Sequence, residues 1–246
     1  MGDLKTFSKR KAKEFDAMKE DAKISPISAD IALFGRMVTS DYFMNVDAAM
    51  QVAHAISTHA VNRESDYYTA MDDLLKAGEE TGAAMIGDAD YNSCCYYEYA
   101  SIDTDALSEN LKNAPDREAL IGKLIPALLQ SMALSNPSGK QNSFAGQVLP
   151  DLVMIECKQD KIPLSYVNAF ETPVPVWGSN PHVVETSIQR LADYVNTMDQ
   201  AYGLPVQARG WFSPRYPDIK PAMCDSYRKY ADLIAACAGW VRGEKE

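Results

Sequence analysis

The three histidines are the side chains best suited to metal binding or proton transfer, and their spacing argues against a shared metal. His54 and His59 are five residues apart, which puts them on opposite faces of a strand or about 140° apart around a helix. His182 lies far along the chain from both. We therefore expect a packed or hydrogen-bonded role for each histidine, and no metal site.

Side chains that could act as nucleophiles or catalytic acids lack the surroundings that such chemistry needs. Ser57 and Ser93 have no G-x-S-x-G context, and Cys95 has no histidine near it in sequence. The adjacent acids Asp72 and Asp73 are more typical of solvated or capping carboxylates than of a catalytic pair. The glycines do not have the spacing of a P-loop or a dinucleotide-binding fingerprint. The sequence therefore indicates a protein with no catalytic residue and no cofactor.

The segment Ser135–Gln147 is the best candidate for binding chemistry. It contains turn formers, small hydroxyls, amides and one lysine, but no acid. Gly139 permits a close approach of the backbone to a ligand, and Lys140 can meet a phosphate. The side chains that can hydrogen-bond to phosphate, a ribose 2′-hydroxyl or a base edge are Gln141, Asn142 and Ser143. From composition alone, both an RNA contact and an ordinary surface loop remain open.

Three other side chains each have two interpretations. Phe144 could stack on a base, or it could anchor the preceding loop to the core. Arg36 could bind RNA, or it could form an internal salt bridge with Asp30 or Asp41. Met85 could wedge between bases as an apolar side chain, or it could pack in the core.

Basic and aromatic residues also alternate near the C-terminus. These residues are Arg209, Trp211, Phe212, Arg215 and Tyr216. They could form a surface for RNA or a partner subunit. A strand with one buried face would give the same pattern.

The charge of the chain is concentrated in one region. The formal net charge is −10, and residues 63–118 hold 14 acids against four bases. The rest of the chain is balanced, with 20 acids and 20 bases. The overall charge excludes indiscriminate nucleic-acid binding, but it leaves room for a local basic groove.

The cysteines and the hydropathy pattern indicate a cytoplasmic protein. The five cysteines form no C-x-x-C pair, so buried reduced thiols are expected instead of disulfides or zinc ligands. No apolar run approaches the roughly 20 residues that span a bilayer. The charged N-terminus does not resemble a signal peptide, and we expect no membrane partner.

Hydrophobic periodicity and turn residues predict alternating strands and helices. The predicted strands are Val46–Thr58, Asp88–Ile102, Asp151–Cys157, Leu164–Phe170 and Val206–Phe212. Leu164–Phe170 could pair with Asp151–Cys157, and Val206–Phe212 is expected to be the final strand. The predicted helices are residues 5–23, Ala29–Phe34, Thr104–Lys112, Asp116–Leu134, Val183–Tyr202 and Pro221–Val241. Gly78–Gly87 is predicted to be a loop. Strands interrupted by helices in this way indicate an α+β fold.

Segments spread over most of the chain resemble, in the same order, the CasC family, also called Cse4. The segments are Ala29–Met37, Val46–His59, Tyr68–Asp73, Met85–Gly87, Tyr91–Ser93, Ser138–Asn142 and Asn168–Phe170. Members of this family are the backbone subunits of Cascade, the type I-E CRISPR surveillance complex.

The resemblance implies a modified RRM-like (ferredoxin-like) palm with a helical fingers insertion and a thumb loop. The implied boundaries are 1–27 for an N-terminal helix unlike the family, 28–134 for part of the palm with acidic fingers, 135–150 for the thumb, and 151–246 for the rest of the palm and the C-terminal helices. Residues 1–27 do not match the family's first strand and basic segment. We therefore expect an incomplete palm that is loosely folded and binds RNA poorly on its own.

The implied function is a non-catalytic scaffold on which CRISPR RNA is held. Its implied partners are the CRISPR RNA, copies of itself, other Cascade subunits, and target DNA through the guide. The RNA-binding residues would be Gly139, Lys140, Gln141, Asn142, Ser143, Arg36 and Met85. The alternatives are a protein–protein adaptor, an inactive fragment of such a subunit, or a small-molecule enzyme, for which we find no motif.

Overall fold

The computed structural model describes residues 27–39, 45–70, 85–176 and 182–243. The predicted helix over residues 5–23, as well as Asp41, Asp72 and Asp73, lies outside them. The described helices are α1 (Ala29–Phe34), α2 (Thr104–Asn110), α3 (Arg117–Leu134), α4 (Gln141–Phe144), α5 (Val183–Tyr202) and α6 (Tyr230–Arg242), with a 3-10 helix at Val167–Phe170. The described strands are β1 (Met50–Val52), β2 (Ile56–Ser57), β3 (Glu64–Ala70), β4 (Met85–Tyr91), β5 (Tyr96–Tyr97), β6 (Ala100–Ile102), β7 (Val153–Cys157), β8 (Ala208–Phe212) and β9 (Asp225–Tyr227).

The described strands form small sheets, and helices pack beside them. β1 pairs with β6, β2 with β5, and β3 with β4, each antiparallel. A three-stranded sheet has the order β7-β8-β9, with β7 antiparallel and β9 parallel to β8. This mixture confirms the predicted α+β class. None of the described helices is both long and apolar enough to cross a membrane.

The buried side chains fall into two hydrophobic clusters. The first joins α1, β1, α2, α3 and α6, and its members include Leu33, Met50, Leu107, Ile125 and Cys237. The second joins the 3-10 helix to α5 and β8, and its members include Tyr166, Phe170, Val195 and Trp211. Burial of this apolar surface is the main force that holds the small sheets and the helices together.

The helices are the elements that the sequence predicted best. α5 has the predicted bounds, and it ends where Gly203 takes a left-handed conformation (φ +57°). α1 also has its predicted bounds and is followed by Gly35 at φ +78°. A Cβ on Gly35 would lie 2.8 Å from the carbonyl oxygen of Val46. Only glycine therefore fits the turn that brings Val46 back beside α1.

Two strand predictions are wrong in their extent. The strand predicted over Asp88–Ile102 is divided among β4, β5 and β6. The strand predicted over Val46–Thr58 is reduced to β1 and β2, because its alternation does not give one buried face: Met50 is buried, whereas Val52 is 62% exposed. Both segments contain strands, but each strand is shorter than predicted. The loop predicted over Gly78–Gly87 is wrong from Met85 onwards, where β4 begins.

The predicted pairing of Leu164–Phe170 with β7 is also wrong. Val167–Phe170 is a 3-10 helix, and β7 pairs with β8 instead. The segment is held by side chains: the Tyr166 amide donates to the Tyr97 hydroxyl (3.0 Å), and Tyr166 and Phe170 are buried. A short apolar run is compatible with a strand and also with a short helix that buries its side chains.

The C-terminal region differs from its prediction as well. β8 is not the last strand, because β9 follows it and pairs with it in parallel. The closing helix begins at Tyr230, not at Pro221. Residues 225–227 (Asp-Ser-Tyr) instead extend the sheet by one edge strand, and three such residues are too few to show a periodic pattern in the sequence.

The five cysteines are free, but they are less buried than predicted. Only Cys237 is buried, and the other four are partly exposed. Burial raises the pKa of the Cys237 thiol to about 11, so this thiol stays protonated at neutral pH. Cys94 and Cys95 lie between β4 and β5 and not within a strand.

Candidate nucleic-acid interface

The polar segment after α3 contains one turn of helix where the sequence predicted only loop. α4 (Gln141–Phe144) lies between two residues with left-handed backbone, Lys140 (φ 52°) and Ala145 (φ 46°). The amide of Asn136 closes the segment by donating to the carbonyl oxygen of Val148 (3.3 Å). Non-glycine residues in this conformation are uncommon and concentrate at functional sites. Lys140 is thereby held at the start of a rigid turn.

The predicted ligand-binding side chains of this turn have different surroundings. Gln141 is partly buried, and its amide donates to the carbonyl oxygen of Pro137. Asn142 and Ser143 are exposed, and their side chains make no hydrogen bond to the described part of the chain. A Cβ added to Gly139 would meet no atom within 4 Å. Backbone and side-chain donors are therefore accessible at this turn.

The turn packs against one end of a β-hairpin. β3 and β4 form this hairpin, with Glu64 paired to Tyr91 at one end and Ala70 paired to Met85 at the other. The rings of Tyr91 and Phe144 have centroids 5.1 Å apart and are tilted by 47°. Phe144 is 46% exposed and belongs to neither hydrophobic cluster. The prediction that Phe144 anchors the loop to the core is therefore wrong.

Cationic groups lie on this aromatic pair and beside it. The ammonium nitrogen of Lys140 is 5.8 Å from the centroid of the Tyr91 ring, a cation–π distance. Arg63 Nη1 lies 3.2 Å from the Asp90 carboxylate, which also accepts a hydrogen bond from the Ser65 hydroxyl (2.6 Å). An open cleft of about 330 Å³ is lined by Arg63, Asp90, Tyr91, Asn92 and Phe144.

The other two predicted RNA-binding residues lie elsewhere. Met85 begins β4 at the opposite end of the hairpin from Tyr91, roughly 20 Å away along the strand. Arg36 forms an isolated bridge with Val46, with both backbone N–H···O distances at 2.9 Å. Asp30, one salt-bridge partner suggested for Arg36, accepts hydrogen bonds from the Ser28 hydroxyl and the Ile31 amide, which lower its pKa.

The C-terminal alternation of basic and aromatic residues marks a partly buried strand. Arg209 is 3% exposed, and Trp211 is fully buried. The Arg209 guanidinium binds Glu156 at 2.7 Å and Asp199 at 2.6 Å, and so joins β8 to β7 and α5. The interpretation of Arg209 as an RNA or partner contact is therefore wrong.

Glu156 is the centre of a larger buried group of polar side chains. Its carboxylate also accepts from the Tyr166 hydroxyl (2.9 Å) and lies 3.1 Å from the Lys158 ammonium. Burial, and then the nearby Glu156 carboxylate, raise the pKa of Tyr166 far above its ordinary value. β7 and β8 each contain one charged residue in an otherwise apolar strand, and this sequence signal could have revealed the buried polar group.

The histidines have separate environments. His59 accepts at Nε2 from the Cys95 amide (3.2 Å), so its proton is on Nδ1, which donates to the carbonyl oxygen of Ala60 (2.9 Å). His182 Nδ1 lies 4.0 Å from Glu185, whereas His54 is exposed. The hydrogen-bonded role is confirmed for His59 and is wrong for His54. In the described ranges no three potential ligands are grouped to hold a metal.

The residues that sequence reasoning missed are Tyr91 and Arg63. Both belong to the β3–β4 hairpin, far from residues 135–147 in sequence, and only the fold brings them to Phe144 and Lys140. Tyr91 lies in the predicted strand Asp88–Ile102. The pattern of that strand does not show which residue, distant in sequence, contacts Tyr91.

Comparison with known proteins gives one family and a set of similar structures. The model of the CT1975-like protein family matches residues 2–234. A chain from a "CRISPR RNA-guided surveillance complex, pre-nicking" structure aligns with a TM-score of 0.74 and 29% identity, covering 89% of this chain and 56% of that one. A chain from another "CRISPR RNA-guided surveillance complex" aligns with a TM-score of 0.72 and 27% identity, covering 92% of this chain and 82% of that one.

The coverage differs between the two sides of the comparison. The chain spans little more than half the length of the first of these similar chains and about four-fifths of the second. No curated protein matches the sequence. The structural similarity therefore concerns a shared region that includes most of this chain.

Proposed function

The chain belongs to the CT1975-like protein family, and from this premise we propose that it is a backbone subunit of a CRISPR RNA-guided surveillance complex. The observation that carries the proposal is the similarity of its fold, over most of its length, to chains of two such complexes. At 29% and 27% identity, this similarity extends to the sequence as well as the fold. The proposed partners are therefore a CRISPR RNA and the other subunits of the complex.

The finer form of the proposal is a CasC-like subunit of a type I-E Cascade. Several copies would stack head to tail along the guide RNA around an RRM-like palm, with residues 135–150 as the thumb. The protein would recognise the RNA backbone and its shape, whereas pairing between guide and target DNA would supply sequence specificity. The segments that resemble the CasC family support this form of the proposal.

The turn at residues 139–143 is the proposed contact with the RNA backbone. Lys140 has no carboxylate of the described residues within ion-pair distance, so its charge is available to a phosphate. Asn142 and Ser143 add exposed hydrogen-bond donors, and Gly139 leaves open space for a close approach. Gln141 would support the turn through its bond to Pro137. Arg36 and Met85 would contact other parts of the RNA.

The subunit is proposed to be a scaffold without catalytic activity. Its buried charges, Arg209, Glu156 and Asp199, pair with one another inside the fold, and Lys158 lies 3.1 Å from Glu156 and balances the second carboxylate. The polar side chains of the turn at residues 139–143 are suited to holding an RNA backbone, since none of them is hydrogen-bonded to a described carboxylate or histidine that could act as a general base. Cleavage of a target would then belong to a different protein.

Co-purified nucleic acid tests the proposed function directly. The chain is expressed with the neighbouring genes of its operon and a CRISPR array, purified through a tag on the chain, and analysed for bound RNA. We expect small RNAs of uniform length that contain spacer sequence. If the purified assembly contains no such RNA, the scaffold function is wrong.

A further inference from the structure

We propose that the cleft between the β3–β4 hairpin and α4 holds one unstacked nucleobase of single-stranded RNA, with Phe144 as the stacking surface. This inference rests on the proposed function, because it names what an RNA-binding chain would take up at this position. It adds a base contact to the backbone contact proposed for the turn at residues 139–143. The cleft is formed by Arg63, Asp90, Tyr91, Asn92 and Phe144.

The aromatic pair has the geometry of a supported stacking surface. Tyr91 is partly buried, and its ring supports one side of Phe144 with 5.1 Å between the ring centroids and a tilt of 47°. Phe144 nevertheless remains 46% exposed, although contact with its own core would have buried it. A rigid aromatic ring that is half accessible can stack on any base, because every base has a π-face.

The charges around the cleft suit the backbone that must accompany a base. Arg63 neutralises Asp90, the one acid that lines the cleft, at 3.2 Å. Lys140 lies over Tyr91 and has no carboxylate of the described chain to neutralise it. Lys140 therefore offers one positive charge beside the cleft, which can complement the phosphate next to the base.

Asn92 adds hydrogen-bond donors at the edge of the same cleft. The Tyr96 hydroxyl donates to Asn92 Oδ1 at 2.9 Å, which fixes the amide with its oxygen toward Tyr96. The Nδ2 hydrogens make no hydrogen bond to any part of the chain that the structure describes. They are free to donate to an acceptor on the edge of a base, and all four bases carry such acceptors.

A free apolar ligand fits this cleft less well than a base does. Small-molecule sites are closed and lined mainly by apolar side chains, and they bury most of the ligand. This cleft of about 330 Å³ is open, and only two of its five lining residues are aromatic. Such a site would hold a flat ring on one face while the rest of a longer chain continues past it.

The test compares RNA with and without bases. The full chain is titrated with a fluorescent single-stranded oligouridine, the same oligomer containing abasic riboses, and the matching oligodeoxyuridine. The variants are Phe144→Leu, which removes the stacking surface, and Phe144→Trp, which restores it. Phe34→Leu is the matched control, since Phe34 is 55% exposed on α1 and is not part of the cleft.

The expected result is a loss of affinity that depends on the base. Removing the bases should weaken binding to the wild type by about 5- to 100-fold, as the stacking of one base predicts. Phe144→Leu should lose affinity for oligouridine by a similar factor and should become insensitive to abasic sites. Phe144→Trp and Phe34→Leu should both retain the affinity and the base dependence of the wild type.

A second measurement separates stacking from a structural effect. Photo-crosslinking with 5-iodouridine in the oligomer, followed by mass spectrometry, should place the crosslink at Phe144 or Tyr91. Binding of oligouridine and its abasic form with equal affinity would overturn the base site and leave the backbone contact standing. Stronger base dependence with DNA than with RNA would overturn the assignment to RNA. If no oligomer binds at all, the base site is wrong, whereas the proposed function is decided separately by the RNA that co-purifies with the assembled complex.

Discussion

The ammonium group of Lys140 is the residue-scale feature on which the proposed backbone contact depends. It lies 5.8 Å from the Tyr91 centroid, and the described carboxylates do not pair with it. If it binds one phosphate, Lys140→Ala should lower the slope of log affinity against log salt by roughly 0.7 on single-stranded RNA. The measurement is RNA affinity at several salt concentrations with two unrelated guide sequences.

The control for this charge is a lysine outside the interface. Lys123 is exposed on α3, and Lys123→Ala removes the same charge from the chain without touching the turn. It should leave the slope unchanged. A change in affinity that Lys140→Ala produces for one guide sequence only would mean base recognition by Lys140 and would contradict the backbone contact.

His59 gives a second residue-scale prediction, this time on stability. Its ring joins two segments, since it accepts from the Cys95 amide and donates to the Ala60 carbonyl. His59→Ala leaves both backbone groups without that partner and should lower the free energy of unfolding by about 1–3 kcal/mol. Urea unfolding measures the loss. His54→Ala, at an exposed position, should stay within about 0.5 kcal/mol of the wild type; equal losses would contradict this role for His59.

At the scale of single residues, the sequence identified candidate binding side chains but not the residues that lie next to them in the fold. Lys140 and Phe144 stood out because they lie in a short polar segment without acids. The ring beneath Phe144 did not, because Tyr91 reaches it only through the pairing of β3 with β4. The burial of Arg209 also escaped prediction, since alternation of basic and aromatic residues looks the same in a binding surface and in a strand with one buried face.

The start of α2 is the element whose stability the structure explains most directly. Asp103 accepts hydrogen bonds at 3.0 Å from the amides of Asp105 and Ala106, the usual arrangement of an N-cap. Lys161 lies 3.2 Å from the same carboxylate. The Ala106 amide and then Lys161 hold the pKa of Asp103 below its ordinary value. The cap therefore depends on an ionised carboxylate.

This dependence predicts a pH profile for Asp103→Ala. The substitution should lower the free energy of unfolding by about 1 kcal/mol at neutral pH. Because the pKa is lower in the folded state, the contribution of Asp103 is complete above the unfolded value of about 4 and is lost as the pH falls through the folded value. The difference between wild type and variant should thus shrink below about pH 4. Urea unfolding across this range measures it.

Asp103→Asn is the matched control for the cap. Asparagine caps helices as well as aspartate does, but it has no charge to titrate. This variant keeps a capping acceptor but loses the charge next to Lys161, so at neutral pH it should be less stable than the wild type and more stable than Asp103→Ala. Its relative stability should not change through titration at position 103. A deficit of Asp103→Ala that is equally large at pH 3 and pH 7 would show that the carboxylate is not the stabilising group.

Elements determined by local interactions were predicted more accurately than elements determined by contacts between residues far apart in sequence. α5 was predicted with its observed bounds because its apolar face and the stop at Gly203 are both local signals. The segment Leu164–Phe170 was predicted as a strand and is a 3-10 helix, because its fate is decided by Tyr97 and α5, which lie far from it in sequence. β9, with three residues, gives no periodic signal of its own.

At the scale of the molecule, small sheets and helices are joined by hydrophobic clusters and by one buried group of charges. The Arg209 guanidinium contacts β7 through Glu156, α5 through Asp199, and the segment before β9 through the carbonyl oxygen of Met223. It therefore fastens the three-stranded sheet to the long helix that covers it.

Removing Arg209 should destabilise the whole molecule and not one element. Arg209→Leu leaves Glu156 and Asp199, whose side chains are 11% and 13% exposed, without their main counter-charge. Loss of one partner of a buried ion pair costs about 3–5 kcal/mol, because the remaining charge has no water to solvate it. Arg215→Leu is the matched control: Arg215 is 58% exposed and pairs with Asp151 at 3.3 Å, so its loss should cost about 1 kcal/mol or less.

A double substitution separates an electrostatic cause from simple loss of packing. In Arg209→Leu the Asp199 carboxylate stays buried without its guanidinium partner, and replacing Asp199 by leucine as well removes that unpaired charge. The double variant should therefore recover part of the free energy of unfolding that Arg209→Leu loses. Urea unfolding measures this recovery. A double variant that recovers nothing, or a loss in Arg209→Leu equal to that in Arg215→Leu, would show that the buried charges do not hold the sheet to α5.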